Sequence, residues 1–117
     1  MLTLPIPPSA NKYWRTWKGR FLVSEEARVY KSAVKILARG YDPISGNVSL
    51  VVHVFRPRRI GDLDNYLKVL MDSLRGVLYE DDSQVVVIYA TRHEDPKNPR
   101  VEVSCESVQP GTPFIPT

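Results

Sequence analysis

The sequence predicts a single-domain α/β (α+β) fold in which two main helices pack on a mixed β-sheet. Its 117 residues, 43% hydrophobic and 25% charged, fit one globular domain of common size. Two segments repeat apolar residues with the 3.6-residue period of a helix. Val-rich runs of strand length follow each of these segments and are typical of buried strands. Together these patterns predict helices layered over a sheet.

A short strand and a hairpin are predicted at the start of the chain. Residues 1–6 have strand character and are followed by Pro7-Pro8, which cannot donate hydrogen bonds to a ladder. Residues 14–23 place Lys18-Gly19 between two aromatic and apolar stretches. That arrangement predicts a hairpin or a tight loop.

The first helix is predicted to follow Ser24 and to run to about Arg39. Ser24 is a favourable N-cap, and the two glutamates after it suit the positive end of the helix dipole. Gly40 stands where a glycine commonly ends a helix. The apolar stripe of this helix consists of Ala27, Tyr30, Val34 and Leu37.

The second helix is predicted between two strands. Residues 48–55 form a near-continuous apolar run that predicts a buried strand, and a loop with three arginines follows it. The helix is predicted at residues 64–77 because its large apolar residues fall within one arc of a helical wheel. That arc contains Leu67, Leu70, Met71, Leu74 and Leu78.

The last two strands are predicted at residues 84–92 and 100–106, joined by a turn at 94–99 that contains two prolines. The final strand alternates, which predicts one buried and one exposed face. Residues 109–117 contain three prolines and a glycine and are predicted to be a disordered tail. The expected domain therefore covers residues 1–108.

The composition excludes several classes of protein. No apolar run approaches the roughly 20 residues that span a bilayer, so no membrane association is expected. The lone Cys105 rules out an internal disulfide and a cysteine-rich zinc site, and it suits a reducing cytoplasm. Two histidines, His53 and His93, leave little room for a histidine-based metal centre. We expect His53 to be a hydrogen-bonded core residue of its strand and Cys105 to be a packing residue on the apolar face of the last strand.

The net charge of +3 is unevenly distributed. Residues 1–40 hold eight basic and two acidic residues, whereas the remainder holds eight basic and eleven acidic ones. A basic first third beside an acidic centre fits a surface that attracts polyanions around a cation-binding pocket. A chance distribution of charged residues over helix surfaces would give the same count. Charge alone therefore does not decide whether this surface attracts polyanions.

An acidic constellation lies around the second helix. Asp62 and Asp64 flank its start, and Lys68 lies about 40° from Asp64 on the helical wheel. Asp81 and Asp82 lie in the loop before the next strand. One helix cap would account for one aspartate, but hardly for both Asp62 and Asp64.

Convergence of these carboxylates would require a cation. Two carboxylates 4 Å apart repel by roughly 4 kcal/mol at an effective dielectric near 20. Oxygen ligands select Mg²⁺, with Mn²⁺ as a substitute. The loop that carries Asp82 starts near the carboxyl end of the helix, so helix packing alone does not bring it to Asp62 and Asp64. Either the start of the next strand or a neighbouring subunit must do so. The other interpretation is that these residues are helix caps, ordinary i,i+4 pairs and a solvated turn.

Several ordered motifs together resemble the RusA family of Holliday junction resolvases. The segment Asp62-Leu63-Asp64-Asn65-Tyr66-Leu67-Lys68, with Asp72 after it, is similar to the family's D-x-D-N-x-x-K … D signature. Asp81-Asp82-Ser83-Gln84-Val85 is similar to its DD-x-Q-V motif, and Pro7-Pro8-Ser9-Ala10-Asn11 to its first segment. The resemblance extends to about residue 106.

The resemblance implies a homodimeric, Mg²⁺-dependent endonuclease that places symmetric nicks in four-way DNA junctions, in recombination and repair. Carried over by position, Asp62, Asp64 and Asp82 would be the essential metal-site carboxylates, with Asp81 as an adjacent candidate ligand. Lys68 would be the catalytic lysine. The family often has a basic residue directly before its first aspartate, where this chain has Gly61. This difference concerns phosphate contacts and not the metal site.

Basic residues near these motifs are candidates for contacts with the phosphate backbone of branched DNA. They are Lys12, Arg15, Arg20, Arg56, Arg58, Arg59 and Arg92. A basic DNA-binding module without catalysis would show the same residues, with its acids as caps and turns. A related nuclease acting on other branched or duplex DNA is a third interpretation. Cleavage of a synthetic junction with Mg²⁺ and with a chelator separates the three.

Overall fold

A four-stranded mixed sheet with two helices forms the fold, as the sequence predicts. The computed structural model describes residues 1–9, 14–17, 20–59 and 62–109, with the backbone alone at 14–17 and 20–23. Its strands are β1 (Leu2–Leu4), β2 (Trp14–Trp17), β3 (Arg20–Val23), β4 (Val48–Arg56), β5 (Val85–Glu94) and β6 (Arg100–Ser107). Its helices are α1 (Glu25–Leu37) and α2 (Leu63–Leu74), and a short 3-10 helix covers Asp82–Gln84. The predicted tail at 109–117 lies outside the described residues except for Gln109, so the domain boundary stays a prediction.

The strands of the main sheet lie in the order β1-β6-β4-β5. β6 is antiparallel to both β1 and β4, whereas β5 is parallel to β4. The segment β4-α2-β5 is therefore a βαβ crossover, in which the helix returns the chain so that the second strand runs in the direction of the first. β2 and β3 pair with each other as a separate antiparallel hairpin, which confirms that prediction.

One apolar layer joins the sheet to the helices. Alternate residues of β4 point into it and are fully buried, because each strand presents every second side chain to the same face. These residues are Val48, Leu50, Val52 and Val54. Tyr30 and Val34 of α1 and Leu70 and Leu74 of α2 pack against them in one core cluster. Cys105 packs at the margin of this core, as expected.

The ends of both helices follow from local chemistry. The Ser24 hydroxyl caps α1 by accepting from the backbone N–H of Ala27 at 3.2 Å, which confirms its prediction as the N-cap. The prediction that α2 continues to residue 77 was wrong. Arg75 is extended and Gly76 has a φ of 80°, so the helix ends at Leu74. Val77 and Leu78 remain buried beyond it, which explains why their apolar spacing extended the prediction.

An ion pair joins the two helices. The Lys31 ammonium of α1 lies 3.0 Å from an Asp72 carboxylate oxygen of α2, and the Arg75 guanidinium lies 3.7 Å from the other oxygen. Asp72 therefore links the two helices through its ion pair with Lys31. In the described part of the chain, no helix is long and apolar enough to cross a membrane.

Candidate active site

Asp62, Asp64 and Lys68 lie at the edge of the sheet where β4 and β5 have their carboxyl ends. This edge is where ligands commonly bind in sheets with parallel strands, because the loops that follow the strands meet there. All three side chains are exposed. Asp62 occupies the N-cap position of α2, yet its side chain makes no capping hydrogen bond. We call these three residues the carboxyl-edge cluster.

The two aspartates of the carboxyl-edge cluster do not stabilise the fold through side-chain contacts with the described part of the chain. Neither carboxylate takes part in an ion pair or a side-chain hydrogen bond there. The interpretation of Asp62 as a helix cap and of Asp64 as half of an i,i+4 pair with Lys68 therefore finds no support. Such carboxylates can accept a cation.

Asp81 and Asp82 lie at the opposite edge of the sheet. They precede β5, whose first residue, Val85, pairs with Val48 at the start of β4. Asp62, in contrast, follows the end of β4. The nine residues of β4 separate these two ends by about 26 Å, at about 3.3 Å per residue. Among the described residues, no group of three or more histidine, cysteine or acidic side chains is placed to hold a metal ion. One copy of the chain therefore does not bring Asp82 to Asp62 and Asp64.

Residues 80–82 form an acidic turn that the Gln84 side chain holds in place. The Gln84 Oε1 atom accepts from the backbone N–H groups of Glu80 and Asp81, at 2.7 and 2.9 Å. Its Nε2 atom donates to the carbonyls of Ile44 and Gly46, both at 2.7 Å. Two of these bonds hold the backbone of the acidic turn and the other two reach the segment before β4, so Gln84 fixes the turn relative to the sheet.

The two aspartates of the acidic turn differ in their surroundings. The Ser83 hydroxyl donates to a carboxylate oxygen of Asp81 at 3.1 Å. No described side chain donates to Asp82, which is exposed. Burial raises the pKa of the Tyr79 hydroxyl, and the negative charge of the nearby Asp82 raises it further. Asp82 is thus the carboxylate of the turn that is free to take a ligand.

The arginines predicted to contact DNA fall into two groups. Arg58 and Arg59, in the loop after β4, are exposed at the same edge as the carboxyl-edge cluster, and Arg92 near the end of β5 is exposed as well. Arg56 differs, because its side chain is 5% exposed and pairs with Glu94. This hydrogen bond lowers the pKa of the Glu94 carboxyl.

The burial of Arg56 indicates a structural ion pair at the end of β4, and its contact with DNA stays a prediction. The sequence pattern does not reveal this pair, because it predicts Glu94 in a turn, whereas the structure extends β5 to this residue. Lys12 and the side chains of Arg15 and Arg20 lie outside the described residues, so their predicted DNA contacts also stay predictions.

His53 makes contacts on the face of the sheet opposite the helices. Its Nδ1 atom is hydrogen-bonded to the Thr91 hydroxyl, which also lies 2.9 Å from Nε2 of His93. His93 stacks on Phe55, with ring centroids 5.0 Å apart. His53 is therefore a hydrogen-bonded strand residue, as predicted, although it is half-buried and not part of the core cluster.

Comparison with known proteins identifies the family. The family model described as endodeoxyribonuclease RusA matches residues 5–106. The chain belongs to the RusA family. It is 33% identical over 108 residues to the crossover junction endodeoxyribonuclease rusA of Enterobacteria phage 82, a match that covers 88% of this chain and 90% of the relative. The RusA protein of Escherichia coli strain K12 is 32% identical over the same shares. The relative from Enterobacteria phage HK97 is 34% identical over 87 residues, which are 69% of this chain and 72% of that protein.

Membership of the RusA family confirms the resemblance that the sequence motifs indicated. The matched region includes the carboxyl-edge cluster, the acidic turn and Gln84. Gln84 belongs to the quoted DD-x-Q-V motif, but its sequence position alone does not reveal its role. That role depends on Ile44 and Gly46, which lie about forty residues earlier in the chain.

We predict that Gln84→Ala destabilises the fold and weakens nicking by this RusA-family chain. The change removes the donor to two carbonyls and the acceptor for two N–H groups, so we expect a loss of about 1–3 kcal/mol in the free energy of unfolding. Junction nicking should fall at least tenfold at a temperature where the variant is folded, because Asp82 loses its fixed position. Urea denaturation and a nicking assay measure the two effects. Ser83→Ala, which removes one exposed hydrogen bond, is the control and should change each by little. Nicking at the unchanged rate by folded Gln84→Ala would contradict this role.

Proposed function

We propose that this chain is a Mg²⁺-dependent endonuclease that resolves four-way DNA junctions by paired symmetric nicks. It acts as a homodimer in DNA recombination and repair, with Mn²⁺ as a possible substitute for Mg²⁺. The observation that carries the proposal is the pair of exposed carboxylates, Asp62 and Asp64, beside Lys68 in a chain of the RusA family. The names of the relatives, crossover junction endodeoxyribonucleases, supply the substrate class.

The available donor atoms fit magnesium. Asp62, Asp64 and Asp82 offer carboxylate oxygens that no described side chain occupies, and oxygen ligands are those that Mg²⁺ and Mn²⁺ prefer. The carboxylates that other groups do occupy lie elsewhere. Asp72 pairs with Lys31, and Glu94 pairs with Arg56. Asp62, Asp64 and Asp82 thus differ from Asp72 and Glu94, whose carboxylates are neutralised by basic side chains.

The dimer is part of the proposal because one copy holds its aspartates at opposite edges of the sheet. We infer that each metal site combines Asp62 and Asp64 of one subunit with Asp82 of the other. Two-fold symmetry then gives two identical sites, one for each of the two strands to be cut. The sequence left open whether the start of the next strand or a neighbouring subunit brings Asp82 to the other aspartates, and we adopt the neighbouring subunit.

Each residue of the site has a role in cleaving the phosphodiester. Asp62, Asp64 and Asp82 would hold the metal and offset its charge. Once bound, it would supply activation of an attacking water and stabilisation of charge on the phosphate oxygens. Lys68, one helical turn from Asp64, places its ammonium at the scissile phosphate and stabilises the charge that develops there. Arg58, Arg59 and Arg92 hold the neighbouring backbone phosphates.

The test of the activity is cleavage of a synthetic four-way junction labelled in turn on each strand. We expect nicks at symmetric positions in two opposing strands with Mg²⁺ or Mn²⁺ and none with a chelator. A linear duplex of the same sequence should be cut much more slowly. Equal cutting of the linear duplex would instead indicate a nuclease of broader substrate range. Junction binding without nicks under every metal condition would favour the non-catalytic DNA-binding module and overturn the proposal.

A further inference from the structure

We propose that Glu94 is a built-in counter-ion for Arg59 and Arg92, and that a phosphate of junction DNA takes these two arginines over when it binds. This inference rests on the proposed function and deepens it, because it concerns how firmly the chain holds its substrate. Glu94 is the last residue of β5, so it lies at the edge of the sheet that carries the carboxyl-edge cluster.

Arg56 fixes the position of the Glu94 carboxylate. The Arg56 side chain is 5% exposed, whereas that of Glu94 is 42% exposed, so their ion pair reaches from the interior to the surface. The backbone N–H of Asp95 donates to the Arg56 carbonyl at 2.7 Å and holds the two strand ends together. Because departure of Glu94 would leave a buried charge without its carboxylate, the carboxylate is held in one place at the surface.

Two exposed arginines lie near Glu94. Arg92 precedes it by two residues on β5, so both side chains point to the same face of the sheet. Arg59 lies in the loop after β4, three residues beyond Arg56. The hydrogen bond from Arg56 lowers the pKa of the Glu94 carboxyl, and the positive charges of Arg59 and Arg92 lower it further. In the described structure, this carboxylate therefore lies among three guanidinium groups.

These residues belong to the face of the sheet on which the proposed site lies. Val54 of β4 is buried in the core beneath the helices, and its partner in the register of β4 and β5 is Arg92. Paired residues of neighbouring strands point to the same face, so Arg92 and Glu94 lie on the helix side. The first turn of α2, with Asp64, lies on this side and at this edge. A phosphate beside the proposed metal site would therefore meet Arg59, Arg92 and the charge of Glu94.

A carboxylate at a phosphate-binding surface weakens the hold on DNA. It repels the charged backbone, and it occupies guanidinium groups that would otherwise neutralise phosphates. Carboxylates and phosphates are both good acceptors for guanidinium groups, so one can replace the other on the same arginines. Arg59 and Arg92 are exposed and can make this exchange, whereas the buried Arg56 keeps Glu94 in place. The expected consequence is easier release of the nicked product.

Glu94→Gln tests the counter-ion directly. Glutamine keeps the size of the side chain and an oxygen that accepts from Arg56, but it removes the charge. We expect at least about fivefold tighter junction binding in a chelator at about 0.05 M salt, because loss of one exposed charge pair changes an equilibrium by up to about fivefold and both subunits contribute. Fluorescence anisotropy of a labelled junction measures the dissociation constant, and circular dichroism confirms the fold.

Glu106→Gln is the matched control. It removes the same charge from an exposed residue of β6, but Glu106 pairs with Ser49 near the start of β4, at the opposite edge of the sheet. Junction affinity should change less than twofold. A tightening as large as that of Glu94→Gln would show that any lost negative charge has this effect, and it would overturn the assignment of Glu94.

Two further measurements separate a counter-ion from a purely structural residue. The tightening by Glu94→Gln should shrink to within twofold at about 0.5 M salt, because exposed charges are screened there. It should also disappear in an Arg59→Gln, Arg92→Gln background, which lacks the arginines that Glu94 neutralises. Disturbed packing around Arg56 would instead change the affinity equally at both salt concentrations and in both backgrounds, and that result contradicts the inference.

The outcome does not depend on the stability of one variant. If Glu94→Gln does not fold, the double variant Arg56→Gln, Glu94→Gln leaves no buried charge unpaired and replaces it in each measurement. Unchanged or weaker junction binding by the folded variant overturns the inference. If the unchanged chain still nicks junctions with Mg²⁺, the proposed function stands. Tightening without any nicking by the unchanged chain would refute the proposed function and leave the counter-ion intact, so the two failures are distinguishable.

Discussion

Asp64→Asn is expected to lower the rate of junction nicking by at least about 1000-fold, while junction binding stays within a few-fold of that of the unchanged chain. Metal-assisted stabilisation of a phosphodiester transition state is worth several kcal/mol, and about 4 kcal/mol corresponds to a factor of 1000 in rate. Asparagine keeps the size of the side chain but removes the charge that offsets the cation. Asp64 is exposed and has no partner among the described side chains, so its loss should not unfold α2.

The two effects of Asp64→Asn are measured on the same labelled junction. Single-turnover nicking gives the rate, and a gel-shift titration in a chelator gives the affinity. Binding should stay equal or become slightly tighter, because a negative charge is removed from a surface that faces phosphates. Asp42→Asn changes an exposed aspartate of the loop before β4 and should leave nicking unchanged. Nicking by Asp64→Asn within tenfold of the original rate would remove this residue from the metal site.

The second large effect is the recovery of activity when two inactive variants are mixed. Asp64→Asn and Asp82→Asn homodimers should each be inactive, since each lacks a ligand in both sites. In a mixed dimer, the Asp82→Asn chain supplies an intact Asp64, and the Asp64→Asn chain supplies an intact Asp82. If each site combines these residues from different subunits, one of the two sites is whole. Random exchange of subunits should then restore about a quarter of the original sites, because half of the dimers are mixed.

The products of this mixture distinguish the two possible arrangements of the site. A mixed dimer has one working site, so it should nick one strand of a junction and fail to make the paired nick. If Asp64 and Asp82 of the same chain formed a site, both sites in every mixed dimer would be defective and the mixture would stay inactive. Mixing Asp64→Asn with Asp62→Asn is the control. In the proposed site, Asp62 and Asp64 come from the same subunit, so no mixed dimer of these two variants contains an intact site. That mixture should stay inactive.

Local patterns predicted the elements of this fold well. The strand, helix and strand at β4, α2 and β5, the pairing strands β2 and β3, and the capped first helix all follow from residue periodicity, turn residues and a serine cap. The errors lie at ends of elements, where two local preferences compete. Val77 and Leu78 continue the apolar arc of α2, but the left-handed conformation of Gly76 turns the chain before them. Glu94 precedes a turn with two prolines, yet it is the last residue of β5 and pairs with Arg56 of β4.

For the candidate site, the sequence predicts which residues take part but not where they lie relative to one another. The motif aspartates and Lys68 could be named from sequence because their order and spacing match a family to which the chain belongs. Their distance in space could not, because it depends on the direction in which β5 runs beside β4. A parallel neighbour puts the start of β5 at the start of β4, and thus places Asp82 far from Asp62. The roles of Arg56 and Gln84 likewise depend on partners about forty residues distant in the chain.

By itself, the sequence determined the family, the residues that we propose as ligands of a divalent cation, and the helices and strands that carry them. These depend on residue type and on spacing along the chain, which are local properties. Only the tertiary structure decided which aspartates share an edge of the sheet, which arginine is buried in an ion pair, and which strand is left at the edge with apolar side chains exposed. The physical reason is that strand order and direction are set by burial of the whole core, to which residues from every element contribute.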